Sequence, residues 1–475
     1  LRWQRGGMGT LSGRSILSGN FHFHQALGFV LSGWLLLVVG LAGAVAATAG
    51  AGDVSHLNGF ITRKETQARA LAKELDLKVS PEVWKYFETA KTGNVSATTN
   101  AFERLKRRSS QYEGSWDDAT VGTPVWQTLI EVEVALEAYW DGVPQYSTAF
   151  GQGVIDSIPR GSIYFGGTDS GRGLITALCK SHEDADPFFT ITQNALADGR
   201  YLDYLRVMYG SKIRIPTTND SQQAFQEYLT DAQQRLVKKQ LKPGEDVRVV
   251  NGRVTVSGVV AVMAINGLIA KTIFDANTNR EFYLEQSYAL DWTFPHLAPH
   301  GFIFKVHRQP LAELTEEVVQ QDRQFWKQQQ KQLIGDWLTT ETSPQELCEF
   351  AQKVFYRTNL AGFKGDPRFV KNDYATKLYS KLRSSVGELY QWRATNAKSA
   401  AERKRMSAEA ELAYRQAFAF CPYGPEAVFG YTKLLTEAGR INEAHRVALT
   451  AHLLDPGNVQ MEDMVKQLDR QKRKE

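Results

Sequence analysis

The chain changes hydrophobic rhythm several times, and each change predicts a different kind of element. Residues 26–52 carry no charge, and their centre reads Leu-Ser-Gly-Trp-Leu-Leu-Leu-Val-Val-Gly-Leu. A run of that length can cross a bilayer as one helix. After it the spacing becomes helical. Ala68, Leu71, Ala72 and Leu75 recur at three- and four-residue intervals, and Pro81 opens a second helix with Val83, Trp84 and Phe87. Thr92-Gly93-Asn94 interrupts that helix, a third is expected at 101–108, and a fourth follows Pro124 through Ile130, Val132, Val134, Leu136 and Ala138. Residues 53–145 are therefore expected to form a helical region.

The middle of the chain reads differently. Residues 161–165 are a short apolar run bounded by Pro159 and by Gly166-Gly167, the form of a buried strand, and residues 188–192 repeat it. Each run precedes a helical pattern, at 174–179 and at 201–209. That alternation implies a parallel sheet with right-handed crossovers. An apolar helix at 260–274 and strands at 281–285 and 302–306 complete an expected α/β domain, residues 146–310, with four or five strands.

Residues 311–395 return to helical spacing, with a glutamine-rich stretch at Gln328, Gln329 and Gln330. In residues 396–475, Pro422 and Pro456 lie 34 positions apart, the tetratricopeptide period. Ala410, Tyr414 and Ala417 precede the first proline at the motif's offsets. Ala444, Ala448 and Ala451 precede the second, and Gly439 stands at the turn. Small residues at those offsets let paired helices approach closely. The expected architecture is thus a membrane helix, a helical region, a small parallel-type α/β domain, a second helical region and a tetratricopeptide-like array.

Composition adds limits. At 475 residues the chain exceeds one small module, and 43% apolar with 23% charged residues excludes global disorder and a multi-pass membrane protein. Fifty-six Lys and Arg against 52 Asp and Glu leave a net charge of +4, too slight to argue for nucleic acid. Arg2, Arg5 and Arg14 precede the apolar run and Asp53 follows it. The positive-inside rule then keeps residues 1–25 in the cytoplasm and places the bulk of the chain in the periplasm. The alternative is a secreted protein, because Ala44-Val45-Ala46 and Ala47-Thr48-Ala49 fit signal cleavage. Cys179, Cys348 and Cys421 are odd in number and far apart, so they read as small buried residues rather than as a disulfide framework or nucleophiles. The run Arg104, Lys106, Arg107, Arg108 reads as a solvated helix face or, alternatively, a surface for anionic headgroups.

Candidate chemistry centres on Gly166-Gly167-Thr168-Asp169-Ser170-Gly171-Arg172-Gly173, between a predicted strand and a helix. Glycines there permit close backbone approach, and a helix start offers N–H groups to an anion. The spacing from Gly166 to Gly171 imitates a Walker A loop. Arg172-Gly173 stands where Lys and Ser or Thr are needed, so ATP hydrolysis is disfavoured. The remaining reading is a turn that holds an anion or sugar hydroxyls, with Arg172 as a fork on the loop rim and Asp169 as acceptor. Its rival is a tight turn with Asp169 as a helix cap. Gln193 and Asn194 leave the next strand, and Glu285 ends a later one. In a parallel sheet such loops open on one edge, where ligands sit. Trp292 reads as packing over the edge or as a surface for a sugar ring. His296 and His300 are four apart, but Pro295 and Pro299 deny them one helix face. No H-E-x-x-H or G-x-S-x-G motif occurs, and Glu183-Asp184-Ala185-Asp186 reads as a solvated turn rather than as a sugar-nucleotide DxD site. No cofactor or metal is expected.

The segments 161–173 (GSIYFGGTDSGRG), 191–198 (ITQNALAD), 281–287 (EFYLEQS) and 380–393 (SKLRSSVGELYQWR) resemble parts of a little-characterised group of membrane-anchored tetratricopeptide-repeat proteins from Verrucomicrobia-type bacteria. Over about 150 residues the middle is also similar to the soluble portion of the protein O-mannosyltransferase-like membrane family. The multi-pass region that would carry glycosyl transfer there has no counterpart here, so no catalytic residue carries over. The export signal, the repeat helices and a glycine-rich turn without catalytic partners together point to a membrane-tethered extracytoplasmic protein that binds a glycan or an anionic small ligand through the α/β domain and a protein through its repeats. The alternative is a glycan-active enzyme or transferase accessory with Asp169 or Glu285 as acid or base.

Overall fold

The computed structural model of the chain describes residues 57–110, 115–141, 144–168, 170–179, 188–250, 252–286 and 288–473. The expected cytoplasmic tail and membrane segment, residues 1–52, lie outside the described residues, and so does Asp169. What is described is mostly helical, with one five-stranded sheet and one two-stranded ribbon. The chain divides into two compact units, each assembled from separate stretches. Residues 61–129 and 194–272 contribute to the first; residues 52–60, 130–193 and 273–475 form the second. Residues 146–310 thus contribute to both.

The first unit begins with α1 (Asn58–Glu74), α2 (Pro81–Lys91) and α3 (Val95–Lys106). Pro81 stands at the first turn of α2, where its missing N–H costs nothing, and the Asn94 side chain caps α3 by accepting from the Ala97 N–H. α4 (Trp126–Asp141) starts beneath them, with the Trp126 ring stacked on Phe102 at 5.1 Å. The basic run at the end of α3 is not a solvated face throughout. Lys106 pairs with Glu103, and Arg108 donates to Asp118 and Glu82. α7 (Gly199–Tyr209), α8 (Thr218–Lys238) and most of α9 (Val259–Ala276) complete this unit. A capping box, Thr217 with Asp220, starts α8. Between α8 and α9 runs an antiparallel ribbon, β3 (Asp246–Val250) with β4 (Arg253–Ser257), that the sequence reading did not anticipate. Among the described residues α9 is the one helix long and apolar enough to cross a membrane, and half of it is buried. Its buried Asn266 accepts from the Ala197 N–H at 2.6 Å.

The second unit holds the five-stranded sheet, in the order β2-β1-β5-β7-β6. β1 (Ile163–Gly166) is central among the parallel strands, flanked by β2 (Phe189–Thr192) and β5 (Phe282–Leu284). The expectation of a parallel-type sheet is corrected here. β7 (Ile303–Val306) runs antiparallel to β5, and β6 (Leu297–His300) antiparallel to β7, so the sheet is mixed. Pro299 sits in β6, the edge strand, where a missing donor is tolerated. α5 (Pro144–Ser157) precedes β1, and the short α6 (Ile175–Leu178) follows it.

The helices of this unit are α10 (Glu316–Leu333), α11 (Pro344–Ala351), α12 (Asp373–Thr395), α13 (Ala400–Phe420), α14 (Pro425–Glu437), α15 (Ile441–Leu454) and α16 (Val459–Lys472). Consecutive helices from α12 onward pack on one another. Ala410, Tyr414, Ala417, Ala444, Ala448 and Ala451 are all buried in those contacts. One hydrophobic cluster runs from the sheet into the helices. At its centre the Phe302 ring meets Phe150, Phe325, Trp326 and Tyr379 edge-on, at centroid distances of 4.8 to 5.9 Å.

Inside this apolar cluster lies a buried polar knot. Arg383 of α12 donates to Asp322 of α10 at 2.8 Å, and both side chains are fully buried. The Tyr390 hydroxyl donates to the same Asp322 oxygen at 2.9 Å. Arg383 Nε donates to Gln416 of α13 at 2.8 Å, and Gln416 donates in turn to Gln330 of α10 at 3.0 Å. Asp322 Oδ1 and Arg383 Nη2 have no hydrogen-bond partner. A buried charge left without its partner is costly. Arg383→Met should therefore destabilise this unit by about 3–5 kcal/mol, and the pair Arg383→Met with Asp322→Leu should recover part of that loss. Urea unfolding followed by tryptophan fluorescence reads both variants. A double variant as unstable as the single one would mean that the lone carboxylate is not what costs.

Candidate functional site

The glycine-rich turn leaves the carboxyl end of β1 and doubles back on itself. A Cβ on Gly166 would lie 2.6 Å from the Gly171 carbonyl oxygen, so the chain can cross there only over a glycine. Ser170–Leu174 forms one wide helical turn before α6 begins. The turn is fixed from within: the Arg172 N–H donates to the Thr168 carbonyl at 3.0 Å, and the Gly171 N–H donates to Thr168 Oγ1 at 2.9 Å. The Tyr164 hydroxyl, from inside β1, donates to the Gly171 carbonyl at 2.9 Å. Ser170 exchanges a hydrogen bond with the Tyr374 hydroxyl at the start of α12.

Glu285, just past β5, fills the cradle that this turn creates. Its Oε2 accepts from the Gly167 N–H at 2.8 Å and from the Thr168 N–H at 2.7 Å. Gly171 lies so close over the carboxylate that an added Cβ would stand 2.6 Å from Glu285 Cδ. The backbone donors expected to face an external anion therefore face an anion of the same chain. On the neighbouring strand, Gln193 donates from Nε2 to the Glu285 carbonyl at 2.7 Å. Two acceptors remain without a hydrogen-bond partner, Glu285 Oε1 and Gln193 Oε1, each on a fully buried side chain.

Of the residues expected to share a crevice, Gly166, Gly167, Thr168, Gly171, Gln193 and Glu285 do converge at the carboxyl edge of β2, β1 and β5. Arg172 belongs to the same turn but is only 8% exposed, which corrects its expected place on an open rim. Asn194 falls in the other unit, where its carbonyl accepts from Asn266 Nδ2 at 3.0 Å. Asp169 is outside the described residues. Trp292 packs on the Phe274 ring at 5.1 Å. His296 and His300 each engage a backbone carbonyl, of His307 at 2.7 Å and of Ser157 at 2.8 Å. No grouping of three or more His, Cys, Asp or Glu able to hold a metal ion occurs among the described residues.

Two participants escaped sequence reasoning. Tyr374 lies some two hundred positions from Ser170, and no spacing rule connects them. Glu388 of α12 accepts from Gln286 at 2.7 Å, and burial pushes its carboxyl above the ordinary range. Burial also raises Glu285, against the partial opposition of the Thr168 N–H, the charge of Lys381 and the Gly167 N–H. All three cysteines are buried, and burial pushes the thiols of Cys348 and Cys421 up to about 11 and about 12. No family model, curated protein or solved structure matches this chain.

The raised Glu285 sets the sign of a pH effect. The folded chain holds that proton more tightly than the unfolded chain. Its contribution is therefore most favourable below the ordinary carboxyl value of 4.5 and is lost as pH rises through the folded value. Glu285→Gln removes the ionised form while keeping an oxygen for the two N–H groups. The melting temperature of this variant relative to the wild type should rise with pH above 4.5. Glu285→Ala should instead strand both N–H groups, at about 1–3 kcal/mol each. A difference between Glu285→Gln and wild type that stays flat across pH would show that Glu285 titrates normally.

Proposed function

We propose that this chain is a membrane-tethered extracytoplasmic binding protein, anchored by residues 26–52, that takes a neutral hydroxyl-rich ligand such as a glycan at its sheet edge. The observation that carries this reading is the pair of unpartnered acceptors, Glu285 Oε1 and Gln193 Oε1, at the carboxyl ends of the parallel strands. Buried acceptors without donors call for a ligand that donates, and sugar hydroxyls do so. An anion offers no such donors, and Glu285 already occupies the N–H groups that would hold one. Half-buried Thr168 is the described turn residue closest to solvent and marks the side of entry.

The C-terminal helices supply the second part of the reading, a protein-docking array of tetratricopeptide type. Pro425 opens α14 and Val459 opens α16, which repeats the 34-residue period of the prolines, and Gly439 carries the turn between α14 and α15 at φ +73°. Leu449 and Leu453, one turn apart on α15, are exposed apolar residues in this array.

Two measurements test these readings. Calorimetric titration with neutral oligosaccharides should give saturable heat that Gln193→Leu abolishes, whereas inorganic phosphate should give none. Saturable phosphate binding would overturn the choice of ligand. Alkaline phosphatase fused after Asp53 should be active, because its disulfides form only outside the cytoplasm. A full-length fusion without activity would remove the tether.

A further inference from the structure

The ribbon between α8 and α9 has an apolar tip that nothing in its own unit covers. Cross-strand pairing sets Val247 opposite Val256 and Val249 opposite Val254, so these four valines share one face. At the root Val247 is buried, in the part of the ribbon that packs on α8. Toward the tip Val249 is 59% exposed and Val250, on the opposite face, 49%. Arg248 and Arg253 flank them, both exposed. Further exposed cations, Lys238, Lys239 and Lys242, lie in the stretch that leads from α8 into the ribbon.

Acids do not balance these charges. Residues 235–259 contain six Lys and Arg against two acidic residues, an excess equal to that of the whole chain. Glu245 has a fully buried side chain that accepts from the Tyr228 hydroxyl at 2.7 Å and pairs with Arg235, and its carboxyl is held down at about 2. Asp246 pairs with Arg248 at 2.7 Å. What faces solvent at the tip is Val249 and Val250, with Arg253 beside them and Arg248 shared with Asp246, while the three lysines stand at the root.

We infer that the 246–257 ribbon is a membrane-contact element whose tip, Val249 and Val250, enters the interface of an anionic bilayer while Arg248 and Arg253 meet the headgroups. A five-residue strand spans about 17 Å, enough to cross the headgroup layer from a root held above it. Apolar side chains partition into the acyl boundary, and the surrounding cations are drawn to anionic lipid. Charge chooses this occupant over a second copy of the chain, since two such tips would bring like charges together. Exposed valines at the tip likewise fit lipid better than the polar backbone of a nucleic acid. This contact is separate from the anchor proposed at residues 26–52.

The test uses the full chain reconstituted into vesicles. All three native cysteines are buried, so Val249→Cys offers one accessible thiol for an environment-sensitive fluorophore. In vesicles containing about one third phosphatidylglycerol its emission should shift to the blue, and nitroxide-labelled lipid should quench it about twofold or more. In phosphatidylcholine alone both effects should be lost, as they should in Lys238→Glu with Lys239→Glu and Arg253→Glu. A fluorophore at Val459→Cys should respond to neither composition. Identical emission at position 249 in both vesicle types would overturn the proposal. So would disulfide crosslinking of unlabelled Val249→Cys between two chains, which would assign the tip to a second copy. The anchor is read separately, as flotation with vesicles in high salt, so its failure leaves the composition-dependent signal interpretable.

Discussion

The second unit depends on one buried ion pair. Arg383 and Asp322 meet in an apolar core, and each makes sense only with the other and with the Tyr390, Gln416 and Gln330 groups around them. These partners come from α10, α12 and α13. Sliding any of these helices by a turn, about 5.4 Å, would strand a charge in a medium that cannot solvate it. The hydrophobic cluster supplies cohesion but is tolerant of direction. The knot is not, and it is the stricter constraint on how α10, α12 and α13 align. From that alignment follows the place of Tyr374 at the head of α12, and with it the anchoring of Ser170 in the glycine-rich turn.

Elements with local signatures were legible in the sequence. The apolar runs that became β1 and β2 are bounded by Pro and Gly, and their pairing is parallel as the intervening helical pattern implied. The helices and the small residues that pack between α13, α14 and α15 were marked by spacing alone. In the antiparallel half β7 was legible as the run at 302–306, but β6 was not, because it is four residues long and contains Pro299, which argues against a strand unless that strand lies at an edge. The ribbon was missed although its signal was present. Asn251-Gly252 between alternating valines is a hairpin sequence, and Gly252 takes φ +74° as such a turn requires.

The candidate site divides along the same line. That the glycines of the turn permit a close approach could be read from one stretch of sequence. What approaches them could not, because Glu285 lies 117 positions beyond Thr168 and reaches it through sheet pairing. Sequence reasoning treated the turn and the carboxylate as two contributors to one crevice; the structure makes one the ligand of the other. The basic run on α3 is a parallel case. Two of its charges, Lys106 and Arg108, pair with Glu103, Glu82 and Asp118, while Arg104 and Arg107 stay exposed.

The fit between Gly171 and Glu285 carries an implication for how this sequence can vary. With the carboxylate in place, any side chain at position 171 collides with it, and without the carboxylate the N–H groups of Gly167 and Thr168 lose their acceptor. Neither position can drift alone. A lineage that replaced Glu285 by a shorter residue would relax the steric demand at 171, and would also open the cradle to a solvent anion. Paired substitution at these two sites would then mark descendants in which the internal carboxylate has been exchanged for an external one.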